Sequence, residues 1–179
     1  PPRKTMIVLK TYDQKPGQFM PGYHQNGVIY INDEPIEEVP LFVTIPHEFS
    51  HAMLRYKYAG GYRIPSWLDE GMAVNIETSI TDMSKDNNNI VYSLDDLAIG
   101  LKNTPKATYA QCSAIVAYIV ETHSREAMFQ LLSQLANEHK PLDAALQDTL
   151  YIDAAALEKN SQQYFRDNKE IHGVLRAQF

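Results

Sequence analysis

The chain of 179 residues has one cysteine, Cys112, and that scarcity excludes an intrachain disulfide and a thiolate-rich zinc site. Any metal has to be held by histidine and carboxylate. No run approaches the roughly 18 consecutive apolar residues of a membrane helix. The longest apolar stretch of helical character, 114–120, is short and ends in charge. Basic side chains are outnumbered, 16 against 22 acidic, so the net charge of −6 gives no general attraction to nucleic acid or anionic lipid. Low-complexity tracts and internal repeats are lacking too. With 44% hydrophobic and 21% charged residues, a disordered or collagen-like chain is excluded. The length suits a single domain, 1–179, that buries its own core. The first residues are Pro1-Pro2-Arg3 rather than Met, which reads as a cut domain or a processed chain, so a leader removed earlier leaves no trace. Scarce cysteine suits cytosol and bacterial envelope alike.

The pattern of what is present changes along the chain. Residues 5–12 are β-rich, and their continuous apolar run predicts a strand buried on both faces. Pro16, Gly17, Pro21 and Gly22 mark turns before a second strand at 27–32. Over 41–58 the period becomes helical, with Ile45, Phe49, Ala52, Met53 and Tyr56 on one stripe. Pro46 within it either occupies the first turn or kinks a longer helix. Gly60 and Gly61 end that element. Ser66 with Asp69 three residues later reads as a capping box that opens a helix to about Thr78. Residues 82–89 are polar and Asn-rich, a surface loop. Helices are expected near 94–101, 106–123, 125–138, 141–148 and 153–167. The result is an α+β chain with a small N-terminal sheet plus a long helix (about 1–64), a mainly helical part (65–167) and a loosely docked tail (168–179).

The chemistry centres on His47-Glu48-Phe49-Ser50-His51. On a helix, positions i and i+4 stand one above the other, so two imidazoles at that spacing converge on one Zn²⁺. Glu48 beside the first of them is placed to take a proton from a water activated by the metal. With six histidines, random order would produce this pattern in about 1% of such chains, so chance is the competing reading. A third ligand decides between them. The glycine and histidine of an extended metzincin site would fall on Leu54 and Lys57, so that arrangement fails. Glu70 follows His51 after 18 residues, in the first turn of the next helix, where a rigid element can aim it at the metal. Asp69 occupies the box position and takes the cap; Glu70 takes the metal.

His47-Glu48-Phe49-Ser50-His51 followed by Trp67-Leu68-Asp69-Glu70-Gly71-Met72-Ala73 resembles the gluzincin zinc metallopeptidases, whose relatives include aminopeptidase-N-like and thermolysin-like enzymes. Within them the chain is similar to the small bacterial peptidase-MA-like domains, over about residues 5–167. The resemblance implies a zincin-like fold with an active-site helix. It implies Zn²⁺ held by His47, His51 and Glu70, Glu48 as general base, and a peptide or protein substrate. It also implies an antiparallel edge strand that takes an extended peptide by β-augmentation, for which 27–32 is the candidate. Tyr109, opening a Tyr-Ala-Gln motif, is the candidate for stabilising the oxyanion, with core packing as the competing role. The aminopeptidases fix a free amino terminus with a Gly-Ala-Met-Glu-Asn segment. Here Pro21 to Gly27 carries no carboxylate, which favours an endopeptidase. A peptide-binding zinc module of a larger envelope protein, without turnover, is the alternative, and an envelope or secreted location is favoured over the cytoplasm.

Several other residues have modest expectations. Glu77, seven residues after Glu70, either holds a histidine ring or forms an ordinary ion pair, for instance with Arg55. Tyr118 is expected to pack. His24, just before the strand at 27–32, either lines the cleft or is a loop residue, the commoner case, and His123, His139 and His172 read as surface groups. Cys112 reads as a buried, inert thiol. Phe42, Phe49, Tyr23, Tyr62 and the 80–92 loop are candidates for the walls of a cleft.

Overall fold

The structure, a computed structural model, describes residues 6–10, 22–25, 28–32, 41–58, 64–77, 80–82, 91–99, 106–168 and 170–172. Three strands, β1 (Met6–Lys10), β2 (Gly22–Gln25) and β3 (Val28–Asn32), form one sheet in the order β1-β3-β2. β1 runs parallel to β3, with Ile7 opposite Ile29 and Leu9 opposite Ile31. β2 runs antiparallel to β3 and pairs Tyr23 with Tyr30, whose rings stack at 4.8 Å. Alternation along β3 sends Ile29 and Ile31 to one face, where both are fully buried against Ile45 and Ala52 of helix α1 (Leu41–Lys57).

Two expectations about the strands are corrected by this order. The 27–32 segment, expected to be an open edge, supplies the central strand and is paired on both sides. The antiparallel edge beside α1 is β2. The 5–12 segment, expected to be buried on both faces, supplies the other edge, and Met6, Ile7 and Leu9 are exposed. Among the described residues α1 packs mainly on β2 and β3 rather than on β1.

Pro46 is the sixth residue of α1, immediately before His47. It is neither in the first turn nor at an interruption of the helix, and its missing N–H leaves the Phe42 carbonyl without its usual partner. The helical half follows: α2 (Ser66–Glu77), α3 (Leu94–Ile99), α4 (Lys106–Thr122), α5 (Arg125–Ala136), α6 (Leu142–Leu150) and α7 (Ala154–Asp167). These lie within a few residues of the expected spans. Local chemistry starts several of them. The Ser93 hydroxyl accepts from the Asp96 amide at α3, Ser124 from Ala127 at α5 and Asp153 from Ala156 at α7. The core of this half joins Trp67, Leu68 and Met72 of α2 to Ile115 and Ile119 of α4 and to Met128, Leu131 and Leu132 of α5. A stripe of Ala110, Ala114 and Ala117 packs α4 against Tyr164 and Phe165 of α7.

One element has no counterpart in the sequence reading. β4 (Ile80–Asp82) pairs antiparallel with β5 (Glu170–His172), so part of the segment expected to be a loose tail is tied back to the chain that follows α2, beside α4. Among the described residues no helix is long and apolar enough to cross a membrane.

Candidate metal centre

α1 presents His47 and His51 one turn apart on the side that faces α2, and α2 presents Asp69, the last residue of its first turn, and Glu70, the residue after it, to them. His47 Nε2 and His51 Nε2 are 3.2 Å apart, and Glu70 Oε2 lies 3.4 Å from the first and 3.5 Å from the second. The three atoms thus form a nearly equilateral triangle. Ligands at zinc–ligand distances of roughly 2.0–2.1 Å around a tetrahedral centre stand about 3.3–3.4 Å from one another. The triangle therefore has the dimensions of one face of such a tetrahedron. Glu70 Oε2 is buried and, among the described residues, has no hydrogen-bond partner. A buried carboxylate oxygen left in this way takes a cation or a water as its partner, and the two imidazole nitrogens beside it complete a cation's ligand set. The residues present fit a zinc ion.

The electrostatics agree with a cation-seeking site. Burial would raise the Glu70 carboxyl, but the two imidazoles hold it down at about 2. Burial would lower His51, yet the Asp69 and Glu70 carboxylates lift it to about 10. Without a metal, the positive charge the site calls for is carried by a proton on imidazole.

Asp69 has a role that its sequence position concealed. Its Oδ1 accepts from His51 Nδ1 at 2.8 Å. Donation of Nδ1–H to a carboxylate leaves the Nε2 lone pair free for a metal and fixes the ring. The expected capping box does not form. The amides of Leu68 and Asp69 bond the Pro65 carbonyl, and the Ser66 hydroxyl donates to Ala98 O at 3.2 Å. A half-buried carboxylate gains more from a neighbouring imidazole than from an exposed helix end, so the tertiary contact prevails. The available signal was chemical: a ligating histidine needs an acceptor at its second nitrogen, and Asp69 was the carboxylate beside Glu70.

Glu48 is buried on the flank of α1 that faces β2, with its Cγ against the Gly22 backbone. Burial pushes its carboxyl above the usual carboxylate range, the imidazoles of His47 and His51 oppose the rise, and Glu70 adds to it. Cys112 is fully buried, and its thiol is pushed up by burial and by the charge of Glu70, which matches the inert role expected. Tyr109 is half-buried on α4, one turn before Cys112, at whose backbone α4 passes closest to Gly71.

Other candidates separate from the site. Phe49 lies two residues from each histidine, hence on the opposite side of α1, and is exposed; it cannot wall a cleft at the histidines. Tyr118 packs as expected, its hydroxyl accepting from Asn160 at 3.2 Å. His123 is half-buried edge-on to Tyr118 rather than a surface group, while His139 is exposed in the turn before α6. His172 belongs to β5. His24 stands in β2, opposite Ile29, rather than in a loop. Its side chain and those of Phe42 and Glu77, together with Tyr62 and residues 83–90, lie outside the described residues.

A family model described as Peptidase MA superfamily matches residues 22–167, from β2 through α7. No curated protein sequence matches the chain.

Proposed function

Because the chain belongs to the peptidase MA superfamily, we propose that it is a zinc-dependent endopeptidase of the gluzincin type. The single observation that carries this reading is the triangle of His47 Nε2, His51 Nε2 and Glu70 Oε2, with edges of 3.2, 3.4 and 3.5 Å. These three residues would hold the ion, and Asp69 would orient the ring of His51. Zinc, when bound, supplies Lewis acidity, which polarises a peptide carbonyl and acidifies water.

The remaining steps belong to the chain's own side chains. Glu48, deprotonated, takes the proton from the attacking water at a carboxylate oxygen and delivers it to the nitrogen of the leaving amine. Its burial favours this double duty, because a carboxyl lifted above its usual range gives up and takes back a proton more evenly near neutral pH. Among the described residues β2 forms an edge of the sheet, which makes it the candidate strand for an extended peptide to join, antiparallel pairing on β3 being already taken by β2. The Tyr109 hydroxyl is the candidate donor to the developing oxyanion.

A quenched-peptide or casein assay tests the reading. Cleavage should require zinc, stop with chelator and return on adding the metal. Glu48→Gln should keep one equivalent of zinc yet lose roughly 10²–10⁴ in rate. A protein that holds zinc but cleaves none of a broad peptide panel would instead be a peptide-binding zinc module.

A further inference from the structure

Gly22 opens β2 at the sheet edge, opposite Ile31, and is buried. A Cβ added there would stand 3.0 Å from Glu48 Cγ, 3.0 Å from the Tyr30 carbonyl oxygen and 3.1 Å from Ile31 Cδ1. All three contacts are tighter than ordinary van der Waals packing. Two of the neighbours are held in place. Tyr30 O belongs to the central strand, and Ile31 is fully buried beneath α1. The Glu48 stem is the third, and it occupies the space that a side chain at position 22 would take.

From this geometry we infer that Gly22 is a positioning residue for Glu48: its missing side chain lets the Glu48 stem lie flat against β2, and this contact sets where the carboxylate points. The inference rests on Glu48 being the base proposed above. Among the described residues the Glu48 carboxylate accepts no hydrogen bond, so no short-range polar contact fixes its direction and the packing of its stem does. The peptide-binding edge and the base are thereby joined through one bare backbone position. A change in the seating of β2 moves the carboxylate, although none of the three metal-facing residues lies on that strand.

The test is a double-mutant cycle read by thermal melting: wild type, Gly22→Ala, Glu48→Ala and the double variant, all with chelator present. Gly22→Ala should lower Tm by about 4 °C or more in the wild-type background, the usual scale of overpacking in a chain of this size. In the Glu48→Ala background, where Cγ is gone, the drop should be less than half as large, and alanine's ordinary advantage over glycine can reverse it. Equal drops in both backgrounds overturn the inference, because the strain then falls on Tyr30 and Ile31. If Gly22→Ala does not fold, a folded double variant supports the inference and an unfolded one contradicts it. In the peptidase assay Gly22→Ala should keep its zinc and lose about tenfold or more in kcat, with KM within about threefold of wild type; an unchanged kcat also overturns it. Absence of zinc-dependent cleavage by the wild type would sink the peptidase reading alone, leaving the melting cycle to decide the seating of Glu48.

Discussion

The carboxylate of Asp69 lies 2.8 Å from Nδ1 of His51, so the residue beside one proposed ligand orients another. This contact joins α1 to α2 through the side chains that must stay aligned for a metal to bind. Removing the acceptor with Asp69→Ala is expected to weaken zinc binding by roughly 10–100-fold, the usual worth of such a partner. Asp69→Asn keeps an acceptor oxygen and should cost much less. Competition with a chromophoric chelator measures both. Equal affinities for wild type and Asp69→Ala would show that the contact does nothing for the metal.

A second expectation concerns the metal-free protein and pH. His51 is lifted from 6.5 to about 10, so in the folded state it holds a proton that the unfolded chain releases. Its contribution is complete below pH 6.5 and is lost as pH rises through 10. Glu70, lowered to about 2, behaves oppositely: its contribution is present above pH 4.5 and lost as pH falls through 2. Thermal melts with chelator should therefore show stability falling between pH 6.5 and 10, and Asp69→Ala should flatten that slope. A flat profile in the unmutated protein would contradict the site electrostatics.

Gly71 sits where α2 and α4 touch. A Cβ there would overlap the Cys112 carbonyl oxygen and come within 2.8 Å of the Cys112 carbonyl carbon and of Val116 Cγ2. Backbone cannot yield as a flexible side chain does, so the helices must separate beside Glu70. Gly71→Ala should cost about 3 kcal/mol, the upper part of the usual overpacking range. Urea unfolding gives the value; a loss below 1 kcal/mol would mean that the crossing is looser than described.

Cys112 offers a chemical check. Its thiol is fully buried and pushed upward by burial and by Glu70. It should resist a thiol-specific disulfide reagent in the native protein and react at once after denaturation. Fast labelling of the native protein would place it nearer the surface than the fold allows.

Much of this architecture is legible in local pattern. The apolar stripe of α1, the span of α7 and the i, i+4 spacing of His47 and His51 are all written within a turn or two of chain, where helical geometry is decided. Glu70 was legible because the next helix begins at a fixed distance from His51. What escaped depends on distant pairing. The apolar run of β1 looks the same whether a strand is central or at an edge, and only the position of α1 over β2 and β3 leaves Ile7 and Leu9 exposed. β4 and β5 are three residues each and are specified by each other. Asp69 was misread because the Ser66–Asp69 spacing is a valid local signal overridden by His51, a residue that lies 18 positions away.

The central claim is that His47, His51 and Glu70 together hold one zinc ion. Elemental analysis after dialysis against micromolar zinc tests it most directly, on the wild type beside Glu70→Ala. One equivalent in the wild type and a small fraction of that in the variant is the predicted result; a wild-type protein that stays free of zinc, or a variant that keeps a full equivalent, would contradict the account.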